Sequence, residues 1–238
     1  MKILALETSA KSVSAAVVEN GSILCSTYQN TGLTHSRTLM PLVDGMLQAA
    51  DLKIGDMELI AVAQGPGSFT GLRIGVSAAK GLAWTLEVPC CGVSTLLAMA
   101  QNLRHMEGCT IICAMDARRN QVYNAVFRVE KGQLLRLTED RAIVLAELAE
   151  ELKDDTAAKL VVGDGAKLCH TYLTTAGIEC RMAPPQLLMQ NACGVALAAE
   201  ELAAAGETVS ARDLTPVYLR LSQAERERLA KGLKITVD

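Results

Sequence analysis

Two stretches of this 238-residue chain carry residues that could meet an anion. Glu7-Thr8-Ser9 follows a short aliphatic run. The hydroxyls and backbone N–H groups of such a turn can face a phosphate. The alternative is a plain polar turn between two strands. Gly65-Pro66-Gly67-Ser68-Phe69-Thr70-Gly71-Leu72-Arg73 is the more unusual stretch. Its glycines permit positive φ and close backbone approach, and the helix N-terminus expected after it favours an anion. No Lys-Ser/Thr follows the last glycine, which excludes a Walker loop. Here the alternative is a tight strand-to-helix turn. Arg73 falls in the first turn of that helix, where the dipole disfavours a cation, so an external group or a carboxylate is its expected partner.

Nothing else assembles into a reaction centre. The three histidines, His35, His105 and His170, form no H-x-x-x-H or H-E-x-x-H pair. His105 and Cys109 alone fall short of a zinc site. No Ser-His-Asp set can be drawn. The expectation is no catalytic residue and no metal. Eight cysteines contain no C-x-x-C pair and read as buried thiols of a reducing compartment.

The elements that must position these residues follow from hydrophobic pattern. Lys2–Thr8 and Val13–Glu19 read as strands, and Asn20-Gly21 is a favoured hairpin turn into a third strand, Ile23–Tyr28. Leu39, Leu42, Val43, Met46, Leu47 and Ala50 make one apolar stripe on a helix, with Thr34 or Ser36 as cap and Pro41 early in it. Leu59–Ala63 is a strand that runs into the glycine loop, and a second helix extends to about Leu86. In that helix Gly71, Gly75, Ala79 and Ala83 recur every four residues. Such a ridge of small side chains costs helix propensity, which close packing must recover. The packing partner is either within the chain or a helix of another subunit. Val88–Val93 reads as a strand, with Ser94 capping the next helix.

Then the pattern restarts. Ile3 to Val18 and Ile112 to Phe127 both read as apolar strand, acid, polar turn and second apolar strand, and the acids Glu7 and Asp116 lie 109 positions apart. Each second strand ends at a glycine turn, Asn20-Gly21 and Lys131-Gly132. A helix near Leu145–Leu152, a strand at Leu160–Val162, a further helix, a short strand within Ile178–Met182 and a helix from about Met189 to Ala204 follow. The expected fold class is therefore α/β, with two tandem RNase H-like lobes of mixed sheets flanked by helices, a plan that resembles the actin-like (ASKHA) proteins. In that plan the first-strand acid holds a metal-bound water. Glu7, Thr8, Ser9, Gly65, Gly67 and Ser68 then form a vestigial nucleotide site. Residues 1–105 are expected to form the first lobe and 106–222 the second, with the helix near 189–204 a candidate to pack back on the first. Residues 223–238 form a charged tail.

Composition narrows the class. Half the residues are hydrophobic, 21% are charged and 3% aromatic, which excludes disorder and demands an aliphatic core. No apolar run is long enough to span a membrane. The net charge of −3 argues against unaided grip on nucleic acid. From Arg220 to Lys234 five basic residues outnumber two acids, so the tail is either solvated or a segment that orders on a partner or RNA. No signal peptide is evident, and the expected location is the cytoplasm.

Ile3-Leu-Ala-Leu-Glu-Thr-Ser, Thr34-His-Ser-Arg, Gln64 to Gly75, Ala79-Lys-Gly-Leu-Ala and Pro216-Val-Tyr-Leu-Arg together closely resemble the TsaB (YeaZ) family of bacteria. The resemblance implies a non-catalytic scaffold and activator. It implies pairing with TsaD, and with TsaE in a ternary complex, to make N6-threonylcarbamoyladenosine on tRNAs that read ANN codons. It implies a homodimer when alone, tRNA contact only through the complex, no cofactor in the isolated chain and ATP or ADP only in the complex. It also implies a four-helix docking face, here assigned to Leu39, Leu42, Val43, Met46, Gly71, Leu72, Gly75, Val76, Ala79 and Ala83. Thr95 and Met99 stand where TsaD-like proteins carry their metal-binding His pair, and Asp116-Ala-Arg-Arg-Asn-Gln replaces their second glycine loop. A nucleotide-binding actin-like ATPase is the alternative function, and a metalloprotease-like protein a more distant one.

Overall fold

The structure is a computed structural model that describes residues 1–118 and 120–220. The charged tail expected at 223–238 lies outside the described residues. Two sheets are built in succession. The first contains β1 (Lys2–Glu7), β2 (Val13–Glu19), β3 (Ser22–Gln29), β4 (Leu59–Gly65) and β5 (Cys90–Ser94), in the order β3-β2-β1-β4-β5. β1 runs antiparallel to β2 and parallel to β4. Helices α1 (His35–Ala49) and α2 (Phe69–Leu86) cross over between β3 and β5. After α3 (Thr95–Gln101) the second sheet repeats this order with β6 (Thr110–Asp116), β7 (Gln121–Glu130), β8 (Gln133–Arg136), β10 (Lys159–Val162) and β11 (Arg181–Met182). A further strand, β9 (Arg141–Val144), pairs with β7. The crossover helices of this lobe are α4 (Leu145–Leu152) and α5 (Ala166–Thr175). A short α6 (Pro185–Leu188) and α7 (Ala192–Ala204) complete the order.

The hairpin turns explain why both lobes start alike. Asn20 and Gly21 adopt φ of 49° and 75°, and Lys131 and Gly132 adopt 52° and 70°. Paired left-handed residues match the twist of the flanking strands. Period-two alternation then sorts side chains to two faces. Leu4, Leu6, Val62 and Val17 pack under α1 and α2, while Ile3, Ala5, Ala61 and Val18 pack under α7. In the second lobe Ile112, Ala114 and Val161 face α4 and α5, and Ile111, Cys113 and Phe127 face α3. The central layer is thus α3 and α7. Gly194 admits them to each other, since a Cβ there would strike the Ala98 carbonyl.

Local readings and structure differ at several ends. Thr34 occupies the N-cap of α1 but makes no side-chain capping bond, and Pro41 lies inside the helix. Ser94 does cap α3, its Oγ accepting from the Leu97 amide at 3.1 Å. Asn191 caps α7 by accepting from the Cys193 amide, which starts that helix later than Met189. The strand expected across Ile178–Met182 is confined to Arg181–Met182.

Candidate functional site

The C-terminal ends of β1 and β6 meet at a cleft of about 620 Å³ between the lobes. The two acids make the same local bond. The Ser9 amide donates to Glu7 Oε1 at 2.5 Å, and the Arg118 amide donates to Asp116 Oδ1 at 2.7 Å. Their surroundings differ. Asp116 is exposed, whereas Glu7 is fully buried. Burial pushes the Glu7 carboxyl up to about 7, hydrogen bonding from Ser9 opposes this, and the Asp164 charge adds to it. Glu7 Oε2 has no hydrogen-bond partner among the described residues. Asp164 lies across the cleft floor, its carboxyl also raised mainly by burial, and accepts from Gln190 Nε2 at 3.0 Å. Lys11, Arg118 and Arg220 line the cleft beside Asp116 and Asp164.

The glycine loop closes on the protein itself. A Cβ at Gly65 would strike the Val217 carbonyl, at Gly67 the Ser9 carbonyl, at Gly71 the Thr8 carbonyl and at Gly75 the Thr8 hydroxyl. The Ser68 amide donates to the Ser9 carbonyl at 2.7 Å, and the Gly71 amide donates to Ser68 Oγ at 3.3 Å. Thr8 Oγ1 donates to the Gly71 carbonyl at 2.8 Å. Of the six vestigial-site candidates, Ser9, Gly67 and Ser68 line the cleft. Glu7 and Thr8 are buried beneath it, and Gly65 lies under Val217. The close approaches at Gly65, Gly67 and Gly71 are to backbone carbonyls, and that at Gly75 is to the Thr8 hydroxyl.

The docking residues require a correction. Leu39, Val43, Met46, Leu72, Val76, Ala79 and Ala83 are all buried, as are Gly71 and Gly75. Leu42 is half-buried against the same cluster. Apart from the half-buried Leu42, these residues form the inner face of α1 and α2, packed on β1, β2 and β4, and Leu39 also reaches the wall of the groove between the two helices. The small ridge exists because Thr8 and Val62 press on it from the chain's own sheet. The outward face is different. A groove of about 590 Å³ runs between the helices, lined by His35, Met40, Phe69, Arg73, Ile74 and Ala78. Beyond it Trp84, the single tryptophan, is 72% exposed. Sequence reasoning missed this face. The available signal was a tryptophan on the side of a helix opposite its glycine ridge.

Arg73 meets no carboxylate among the described residues. Its guanidinium lies 4.1 Å from the Phe69 ring centre, and Nε donates to Tyr218 Oη at 3.0 Å. Thr95 and Met99 are both buried, Met99 within the core under the second sheet. Among the described residues, no three His, Cys, Asp or Glu side chains are grouped as metal ligands.

Comparison with known proteins places this geometry. The family model for TsaD, tRNA N6-adenosine threonylcarbamoyltransferase, matches residues 29–227. The tRNA threonylcarbamoyladenosine biosynthesis protein TsaB of Bacillus subtilis is 34% identical over 94% of this chain and 96% of its own length. Its Escherichia coli counterpart is 31% identical over 92% and 95%. By contrast, the transferase of Geotalea uraniireducens matches only 40% of this chain and 32% of its own length. The solved structure of YeaZ from Pseudomonas aeruginosa superposes with a TM-score of 0.78 at 29% identity, covering 92% of this chain and 99% of that one. A dehydratase component A from Acidaminococcus fermentans, 15% identical with a TM-score of 0.50, shares the fold alone, which is the two-lobed actin-like one. With near-complete overlap on the shorter relatives and partial overlap on the transferase, the chain belongs to the TsaB family.

Proposed function

We propose that this chain is the accessory subunit of a tRNA threonylcarbamoyladenosine-forming complex, acting as a non-catalytic scaffold and activator for its TsaD transferase. The observation that carries the reading is full-length kinship with TsaB proteins beside partial kinship with the transferase. The transferase docks on the outer face of α1 and α2, along the groove that Met40, Ile74 and Ala78 line. A second copy of this chain uses the same face when the transferase is absent, and TsaE joins as a third component. Transfer RNA is reached through the complex, in keeping with the net charge of −3. Among the described residues no helix is long and apolar enough to cross a membrane, and the cytoplasm is the proposed location.

The test is light scattering after size exclusion, on this chain alone and mixed with its TsaD partner. A homodimer that converts to a one-to-one heterodimer supports the reading. A chain that ignores TsaD overturns it. ATP hydrolysis by the isolated chain, lost in Glu7→Ala, would favour the actin-like ATPase instead.

A further inference from the structure

Arg73 belongs to two structures at once. On one side it lines the α1/α2 groove beside Ile74 and Ala78. On the other it holds Tyr218, which stacks on Phe69 with ring centroids 4.6 Å apart at 26°. Tyr218 is part of a strap, residues 207–220, that returns from α7 along the first lobe. The front half of the strap is fixed. Ala211 and Leu214 are buried in the first core, and Lys80 Nζ donates to the Arg212 and Leu214 carbonyls at 2.8 and 2.9 Å. Its last residues are held differently. The Val217 amide donates to the Gln64 carbonyl at 2.7 Å, and Arg220 Nη1 donates to the Ala117 carbonyl of the second lobe at 2.7 Å. Val217 and Tyr218 are themselves exposed. The Arg220 bond is part-buried and the Val217 backbone sits on Gly65, but no side chain of 215–220 is fully buried, and a segment with few hydrogen bonds and little apolar burial lies toward the low end of local stability.

Arg73 itself is poorly matched where it sits. It is the fifth residue of α2, just past the first turn in which the sequence reading set it, and no helix-terminal charge holds it there. Its polar contact among the described residues is a neutral phenol. A carboxylate makes a charge-assisted, forked bond with guanidinium that is roughly twice as strong as a neutral one.

We propose that Arg73 is a switch between the docking groove and the end of the strap: an acidic side chain of the docked partner takes the guanidinium from Tyr218, and residues 215–220 loosen from α2 and from the second lobe. The inference rests on the docking face proposed above. It assigns the partner a carboxylate at the Phe69 end of the groove. It also makes the interlobe cleft, whose rim includes Phe69 and Tyr218, responsive to what binds outside it. By linkage, whatever weakens the Arg73–Tyr218 bond must favour the partner by the same factor.

Two measurements on the full chain test this. The first is hydrogen exchange of residues 215–220, alone and with saturating TsaD. Exchange at the Val217 amide should rise about tenfold in the complex. The second is the affinity of Tyr218→Phe, which keeps the ring stack and removes the competing hydroxyl. It should bind the partner about fivefold more tightly, the factor that one such hydrogen bond is worth. Exchange that is unchanged or slower in a formed complex overturns the switch alone, as does a Tyr218→Phe variant that binds equally or more weakly. Failure of the unaltered chain to form any complex overturns the docking reading and the switch with it.

Discussion

The two lobes start from one plan and finish with opposite treatments of their acid. Glu7 and Asp116 end corresponding strands, accept a hydrogen bond from the amide two residues on, and face one cleft. Over Glu7 the chain folds a glycine loop that packs onto Ser9 and Thr8. Over Asp116 the corresponding turn, Gly163-Asp164-Gly165, packs onto Ala114 and the Asp116 amide and leaves the carboxylate in solvent. Topology therefore places an acid, and the cover over it decides whether that acid is an exposed side chain or a buried carboxyl pushed up to about 7. The crossover helices diverge too. α1 and α2 have 15 and 18 residues, whereas α4 and α5 have 8 and 10. Each pair has an outer groove, of about 590 Å³ between α1 and α2 and about 660 Å³ along α5, but the first is shared by two helices and flanked by the exposed Trp84.

Matched substitutions can break this comparison, beginning where the largest effect is expected. Gly75→Leu drives a side chain into Thr8 and Val62, and should cost at least ~3 kcal/mol in urea unfolding. An intact fold with lost partner binding would instead restore the ridge as an external face. Next is Glu7→Gln. Below about pH 4.5 the Glu7 carboxyl is protonated in folded and unfolded chains alike. As pH rises from there to about 7, the unfolded chain releases this proton and the folded one retains it, so stability falls through that window. Above it the loss is complete, at about 3 kcal/mol. Glu7→Gln keeps an acceptor for the Ser9 amide, so it should be more stable than the parent by about that amount at ~pH 8 and equal near ~pH 4.5. Asp116→Asn should change stability by less than ~0.5 kcal/mol at either pH.

Docking supplies the third contrast. Met40→Glu, in the outer groove of the first lobe at a residue already exposed, should weaken TsaD binding at least thirtyfold, or ~2 kcal/mol, with an unchanged melting temperature. Leu168→Glu, on the outer face of α5, should change binding less than about twofold by the same titration. The smallest effects test the repeat itself. Gly21→Ala and Gly132→Ala each place a Cβ on a left-handed residue and should each cost about 1 kcal/mol in thermal unfolding. Unequal costs would mean that the two hairpins are not equivalent, and the Gly21 amide's bond to Glu200 is the place to look.

Much of the fold was legible because it is written in local code. The Val13–Glu19 and Leu145–Leu152 elements match their predicted bounds residue for residue. The 109-residue offset between Glu7 and Asp116 carries the duplicated strand order with it. The residues assigned to docking are mostly buried for a physical reason. Periodicity reports that a helix has an apolar side, and a Gly/Ala ridge reports that something approaches closely. Neither reports whether the approaching surface is the chain's own sheet. Here Thr8 meets the ridge at Gly71 and Gly75, and the outer groove joins Met40 of one helix to Phe69, Ile74 and Ala78 of another, which no single-helix periodicity brings together. The strap was illegible for another reason. Val217 and Tyr218 meet Gln64 and Arg73 at separations of about 150 residues, beyond any local pattern.

The position of α7 has a consequence for synthesis on the ribosome. The first sheet is made of residues that emerge early, but one of its faces is covered by a helix spanning Ala192–Ala204, and its β4 is bonded at Gln64 by Val217. Ile3, Ala5, Val18 and Leu59 therefore stay uncovered while the whole second lobe is translated. The lobe that begins the chain is the last to be finished, and it waits as a half-built sheet whose bare aliphatic face invites chaperones or aggregation.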